Sequence, residues 1–312
     1  MLDISYNLSP KLKDNLRNIE NLRRVILLTP VSPKTKLFLR WEATFNRIYA
    51  FASMSGNPLK RDEITKLLGD IGVKQLSKNQ DAIIRYKRAI DYILQNWLGS
   101  KNQINSETII AIHRIISNGK MSAAREELDY LFDYLQAKEE NPIIQAAIVC
   151  IELMKIEPFT NENEIISQLA SSLVLYKYGY DFRGFLSYEA EWTENKADFR
   201  ANYDLAMKAP NLTLWLEYFA GCVARQLEKT TQKLSKSKDI VKELPKSFWE
   251  LNDRQKSILA YLQKPDISIT NRKVQKRYKI SQITASRDLV RLTNLGFLFS
   301  HGKGRSVYYT RV

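Results

Sequence analysis

Apolar positions along the first 230 residues recur with the period of a helix. Ile83, Tyr86, Ile90, Ile93 and Trp97 form one stripe of a long amphipathic helix. Ile109, Ile112 and Ile116 mark another, entered through the polar Asn105-Ser106-Glu107. Pro142 to Ile156 is apolar on nearly every side, the pattern of a central helix wrapped by others. Glu164–Tyr178, Glu189–Leu205 and Leu212–Glu228 predict three more helices, and no sustained period-2 alternation occurs before residue 250. The body is expected to be all-α.

The pattern changes after residue 228. Lys229 to Lys246 is polar and Lys-rich and contains Pro245, which predicts a partly helical linker. Beyond it, Asp253–Gln263 is a short amphipathic helix with Ile258, Leu259 and Leu262 inward. The β-prone Ile267-Ser268-Ile269 precedes a second helix, Asn271–Tyr278, and Ser281 is a good N-cap for a third that stops at Gly296. Two β-like stretches, Phe297-Leu298-Phe299 and Val307-Tyr308-Tyr309, flank a basic, glycine-rich turn. The predicted fold class is mainly α: a helical body followed by a small α+β domain. The expected boundaries are 1–104 for an N-terminal helical region, 105–228 for the core, 229–246 for the linker and 247–312 for the terminal domain.

Charge sharpens this division. The chain carries 48 Lys and Arg against 34 Asp and Glu, a net +14. From Leu251 onward there are 13 basic residues and three acids (Asp253, Asp266, Asp288), so this last fifth alone carries +10. Such a concentration on a small domain is the electrostatic footprint of nucleic-acid binding. Cys150 and Cys222 lie in apolar helical surroundings and read as reduced, buried thiols. The two cysteines and two histidines are far apart, which predicts no metal site. No apolar run approaches membrane-span length and Met1-Leu2-Asp3-Ile4 lacks a signal-peptide layout, so a soluble cytoplasmic protein is expected.

The terminal domain resembles a winged helix-turn-helix, and Ile280 to Leu289 resembles the recognition helix of DeoR-type bacterial repressors. With Ala285, Leu289 and Leu292 inward, Gln282, Thr284, Ser286, Arg287 and Arg291 are left for bases. Lys303 and Arg305 at the wing tip suit phosphates or a minor groove, and Arg272, Lys273, Lys276 and Arg277 (with Lys279) suit phosphates. Double-stranded DNA is the expected partner, bound by a homodimer on paired half-sites.

From Trp41 to Glu228 the body resembles the Fic (Fido) family. The likeness is carried by Ile109–Ile116 around His113, by Asn141–Ala147 running into Ile156-Glu157-Pro158-Phe159, by Gly179–Gly184 with Ser187, and by Asn211–Phe219. The resemblance implies an AMP transferase using ATP and magnesium on a protein hydroxyl. The family signature, His-Pro-Phe-x-(Asp/Asn)-Gly-Asn-Gly-Arg-x-x-Arg, falls on Glu157 to Gln168. Pro158, Phe159, Asn161 and Asn163 match; Glu157 replaces the catalytic His, Glu162 and Glu164 the glycines, Ile165 and Gln168 the arginines. A carboxylate about 4 Å from a phosphate costs roughly 1 kcal/mol in water and ~4 at an effective dielectric near 20. No catalytic residue and no cofactor are therefore expected.

Instead Asn161-x-x-Glu164 reads as a capping box for the following helix. The family's inhibitory Ser-x-x-x-Glu-Gly/Asn motif falls on Phe51 to Gly56, with Ser55 in the Glu position and Phe51 in the Ser position. The stretch from Gly119 to Asn141 looks helical, without the β-hairpin flap, and His113 reads as a packed histidine distant from the loop. The leading expectation is a DNA-binding transcriptional regulator on a catalytically degenerate Fic-like body, whose own ligand or partner stays open. The alternatives are an unusual AMP transferase with Glu157 as base and bound Mg–ATP, and a non-enzymatic interaction scaffold.

Overall fold

The computed structural model describes residues 4–69, 75–117, 120–122, 124–137, 140–181, 183–236, 251–263, 267–302 and 306–311. Among the described residues, eleven helices form the body: α1 (Pro10–Leu28), α2 (Pro33–Met54), α3 (Arg61–Gly69), α4 (Lys78–Asn96), α5 (Ser106–Ile116), α6 (Arg125–Ala137), α7 (Pro142–Ile156), α8 (Asn163–Lys177), α9 (Glu189–Glu194), α10 (Lys196–Lys208) and α11 (Thr213–Ser235). Three more, α12 (Asp253–Tyr261), α13 (Asn271–Tyr278) and α14 (Gln282–Asn294), join strands β1 (Ile269–Thr270), β2 (Leu298–His301) and β3 (Tyr308–Arg311) in the terminal module. Among the described residues no helix is long and apolar enough to cross a membrane.

Local chemistry sets the helix starts. Ser9-Pro10 and Ser32-Pro33 open α1 and α2, each serine Oγ accepting an amide three residues on while the proline occupies a position that needs no N–H. Asn105 caps α5, and a full capping box at Ser77 and Gln80 opens α4. Helix α7 is the hub, with every residue from Ile143 to Leu153 buried, and it lies against α8 along its length. Helix α1 runs along α11, buries Leu12, Ile19 and Ile26 at heptad spacing, and is pinned by Ser9 Oγ to Glu217 (2.6 Å) and Asn18 to Glu228 (2.8 Å).

One sequence expectation is corrected here. Glu189–Leu205 is not one helix: the chain breaks at Asn195, which ends α9 and caps α10 through its side chain. An Asn whose carboxamide accepts its own downstream amide competes with helix continuation. Helix α11 continues to Ser235, so the first part of the Lys-rich stretch is helical, and residues 237–250 lie outside the described residues. Cys150 and Cys222 are free and buried, as expected, and burial pushes the Cys222 thiol up to about 11.

A charged knot lies inside the body. Arg47 on α2 faces Glu189 at 3.3 Å, with both side chains almost fully enclosed. Ser172 Oγ donates to Glu189 Oε1 (2.9 Å). Burial opposes the Arg47 charge, yet Glu189, then Tyr86 and Asp181, outweigh it and hold the guanidinium above its ordinary value. Next to it Glu191 accepts from Arg225 (2.8 Å), Gln226 (2.6 Å) and Lys229 (2.6 Å), so α9 clamps α2 on one side and α11 on the other.

The terminal module has its own small core of Ile258, Leu259, Leu262, Ile269, Val274, Ala285, Leu289, Leu292 and Leu298. Its sheet is antiparallel in the order β1-β3-β2, with Ile269 opposite Tyr309 and Leu298 opposite Arg311. Gly302 turns the β2–β3 hairpin at φ +80°, where a Cβ would meet the Ser306 carbonyl at 2.8 Å. The module rests on the body. Phe299 packs against the body core beneath Arg40 (5.5 Å), and Val290, Thr293 and Asn294 of α14 meet Leu67, Ile84 and Lys87 of α3 and α4 across a cleft of about 300 Å³.

Candidate functional site

The α7–α8 loop closes on itself. Helix α7 ends in Glu157, exposed and left-handed (φ 47°). Pro158 and Phe159 then turn inward, and Phe159 stacks on His113 at 3.9 Å with the rings nearly parallel. Residues 120–122 run antiparallel to 158–160: the Ser122 amide donates to Pro158 O (2.9 Å), the Thr160 amide to Lys120 O (3.1 Å). Asn163 latches the loop from inside. Its Oδ1 accepts the Phe159 amide (3.0 Å) and its Nδ2 donates to the Phe159 carbonyl (2.8 Å).

The capping box expected at Asn161 and Glu164 does not form. The N-cap of α8 is Glu162, whose side chain makes no capping bond, and Asn161 Oδ1 is taken up by Ser117 Oγ (3.2 Å) and His113 Nε2 (3.4 Å). Two partners from α5 and its end outcompete one amide in the adjacent turn. His113 is packed, as expected, but it is not remote: 48 positions away in sequence, it forms one wall of the loop. Burial lowers its pKa against the opposing contacts to Asn161, which keeps the imidazole neutral near pH 7. Helix α6 fills residues 125–137 of the expected flap region, while 118, 119, 123, 138 and 139 lie outside the described residues.

Glu162 is left-handed at φ 63°, a conformation that suits glycine and costs other L-residues about 1–2 kcal/mol. A left-handed turn falls here on Glu162, at a position where the family signature has a glycine. Glu162→Gly is expected to stabilise the body by about 0.5–1 kcal/mol, part of the relief being offset by the freer unfolded chain. A urea midpoint would register it; a lower midpoint would mean the Glu162 side chain contributes more than its backbone costs.

Ile165 is buried, and so is Gln168, which donates to Glu164 Oε1 (3.5 Å) and approaches Met54 Sδ (3.9 Å). Met54, the last residue of α2, is the one that meets Gln168, while Ser55 turns back to Ala52 O (3.4 Å). Partial burial raises the Glu164 carboxyl. Glu164 and Met54 border a cleft of about 440 Å³ walled by Trp192, Lys196, Arg200 and Tyr203 of α9 and α10. Sequence inspection missed that wall. The spacing of its residues by four, four and three would fit one face of a single helix, but the chain breaks at Asn195 between Trp192 and the other three.

In the terminal module α14 meets α13 across a tight corner, with Lys279 left-handed at φ 50° between them. Ser281 caps α14 as expected, and Ala285, Leu289 and Leu292 are fully buried. Gln282 and Arg287 are exposed and Thr284 is half-exposed. Ser286 instead accepts from Asn271 Nδ2 (2.8 Å), a bond that fixes the corner, and Arg291 is half-buried with its Nε enclosed. Arg272 and Lys276 stand free on α13, whereas Lys273 and Arg277 lie over the Tyr261 ring at 5.0 and 4.5 Å. Lys303 and Arg305 lie outside the described residues. Buried Asp288 accepts from Gln255 (2.9 Å) and Arg254, tying α14 to α12.

No family model and no curated protein matches this sequence. Solved structures match it by shape. A Fic family protein from Desulfovibrio desulfuricans G20 aligns over 98% of this chain and 97% of its own, with TM-score 0.61 and 14% identity. Fic-1 from C. elegans (residues 134–508) aligns over 72% of this chain and 71% of its own, with TM-score 0.57 and 19% identity. A Fic domain containing signaling protein from Bacteroides thetaiotaomicron VPI-5482 aligns over 73% and 97%, with TM-score 0.51 and 18% identity. The chain has the fold of the Fic proteins.

Proposed function

We propose that this chain is a DNA-binding regulator: a winged helix-turn-helix module that reads duplex DNA, carried on a Fic-fold body that does not transfer nucleotides. The observation that carries the first half is how the module is seated. The body takes the C-terminal half of α14 and strand β2, and the N-terminal half of α14, with Gln282 and Arg287, faces away from it. That half is the part of a recognition helix that reaches base edges. Arg272 and Lys276 flank it on α13 in a position to hold backbone phosphates.

The second half is supported by the loop. Mg–ATP is a poor fit for these residues: Asn161 is engaged by Ser117 and His113, Asn163 is spent on Phe159, and Ile165 and Gln168 stand buried in the arginine positions. Among the described residues no group of His, Cys, Asp or Glu is arranged to hold a metal ion. We therefore assign no catalytic residue and no cofactor. The body would act by self-association, by holding a ligand or by docking a protein.

Fluorescence anisotropy on duplex DNA, with random duplex as competitor and a salt series, tests the DNA half. On a preferred site Arg287→Ala is expected to cost about 1–3 kcal/mol, and on random duplex almost nothing. Lys276→Ala should weaken both alike and flatten the salt dependence by about one phosphate contact. Equal, steeply salt-dependent binding to every duplex would reduce the module to a basic surface. AMP incorporation from labelled ATP that vanishes in Glu157→Ala would overturn the catalytic half.

A further inference from the structure

Ile283 is the second residue of α14 and is 65% exposed, a large apolar side chain with no core to pack against. Scattered exposed hydrophobics are common on any surface, so exposure alone decides nothing. Its position does. Ile283 lies four residues before Arg287, so the two share one helical face about 6 Å apart. Ser281, Gln282 and Thr284 surround it, all exposed or half-exposed polar residues. Asn271 holds this end of the helix rigid, donating to Gln282 O (3.2 Å) and to Ser286 Oγ (2.8 Å). Helix α14 thus presents an isolated aliphatic group, fixed in place, on the face that carries the reading arginine.

In a major groove only one base offers an apolar contact, thymine through its C5 methyl. We propose that Ile283 is a specificity residue that recognises a thymine methyl, adjacent to the base read by Arg287. The assignment rests on the DNA-reading function proposed above. The 6 Å between the two side chains compares with 3.4 Å per base pair, so the thymine lies one or two base pairs from the arginine's base. Gln282, also exposed at this end, is left for a neighbouring edge. The aliphatic contact accounts for a feature that solvent alone would disfavour, and it needs no rearrangement of the helix.

The test exchanges the ligand atom rather than only the protein. Duplexes preferred by the full-length protein are selected from a randomised pool, and each thymine in the selected site is replaced in turn by deoxyuracil, which removes the methyl and nothing else. At one thymine per half-site, binding is expected to fall about 3- to 10-fold, the effect of unburying one methyl and its contacts. In Ile283→Ala the thymine and uracil duplexes should bind equally, while the preference tested by Arg287→Ala persists. Ile283→Val should retain most of the discrimination. Selective binding with no thymine position sensitive to uracil, or a sensitivity unchanged in Ile283→Ala, overturns the assignment and leaves DNA reading intact. Failure to enrich any sequence overturns both, and the two failures are told apart by the selection itself.

Discussion

Glu189→Ala is expected to lower the stability of the body by about 3–5 kcal/mol, the cost of leaving a buried charge without its partner. Arg47 is 4% exposed and its counter-ion is 3.3 Å away. Neither Arg47 Nε and Nη2 nor Glu189 Oε2 makes a hydrogen bond among the described residues, so the pair is held by charge more than by alignment. Removing Glu189 leaves a guanidinium that Asp181 alone balances in part, while burial has already pushed that carboxyl up to about 7. At about 2–4 °C per kcal/mol for a body of this size, the melting temperature should fall on the order of 10 °C. The double variant Arg47→Met/Glu189→Leu separates causes. Replacing both charges by apolar groups of similar size is expected to recover most of the loss, because the desolvation cost goes with the pair. A loss under about 1 kcal/mol in Glu189→Ala would mean that water reaches Arg47.

How much of this molecule was legible in its sequence depended on distance along the chain. Helices α7 and α13 fell on their predicted limits and Ser281 on its predicted cap, since each is decided by neighbours within one turn. The loop was legible in part. Its mismatches with the signature could be read residue by residue, but Asn161-x-x-Glu164 satisfies a capping pattern that the folded chain does not use, because α5 brings Ser117 and His113 to the same oxygen. What Gln168 meets was not legible, although Ser55 could be aligned with the Glu of the inhibitory motif. Adjacent residues on a helix point about 100° apart, and it is Met54 that reaches Gln168. No local signal tells which of two adjacent residues faces a helix more than a hundred positions away.

The module repeats this in small. Its inward residues were read from periodicity, but the partners of its polar ones were not. Ser286 looked free and is bound to Asn271; Lys273 and Arg277 looked like phosphate ligands and also cover Tyr261. Ile283, which was not among the residues singled out from the sequence, is 65% exposed near the start of α14.

The largest effect on DNA binding is expected from a residue that touches no DNA. Asp288 is 3% exposed in the middle of α14, and its carboxylate is shared between Gln255 and Arg254 of α12. It sets how α14 lies on the rest of the module. Asp288→Ala leaves the half-exposed Arg254 without its counter-charge and the buried Gln255 amide without an acceptor, at a cost of about 3–5 kcal/mol for one unsatisfied buried amide and one lost charge-assisted bond. A module of some sixty residues with a core of nine buried side chains has about that much stability in total. The variant is therefore expected to lose the module at 37 °C while the body still melts as it does in the parent. Sequence-selective binding should disappear, leaving only weak, salt-sensitive attraction to any duplex. Amide exchange read over α13 and α14 should rise toward the unfolded rate while α7 and α8 stay protected. Asp288→Asn keeps an acceptor for Gln255 and loses the charge, so it should fall between the parent and the alanine variant. If Asp288→Ala bound selected DNA as tightly as the parent, the apolar packing of Ala285, Leu289 and Leu292 would by itself fix the helix, and the buried carboxylate would have no part in reading.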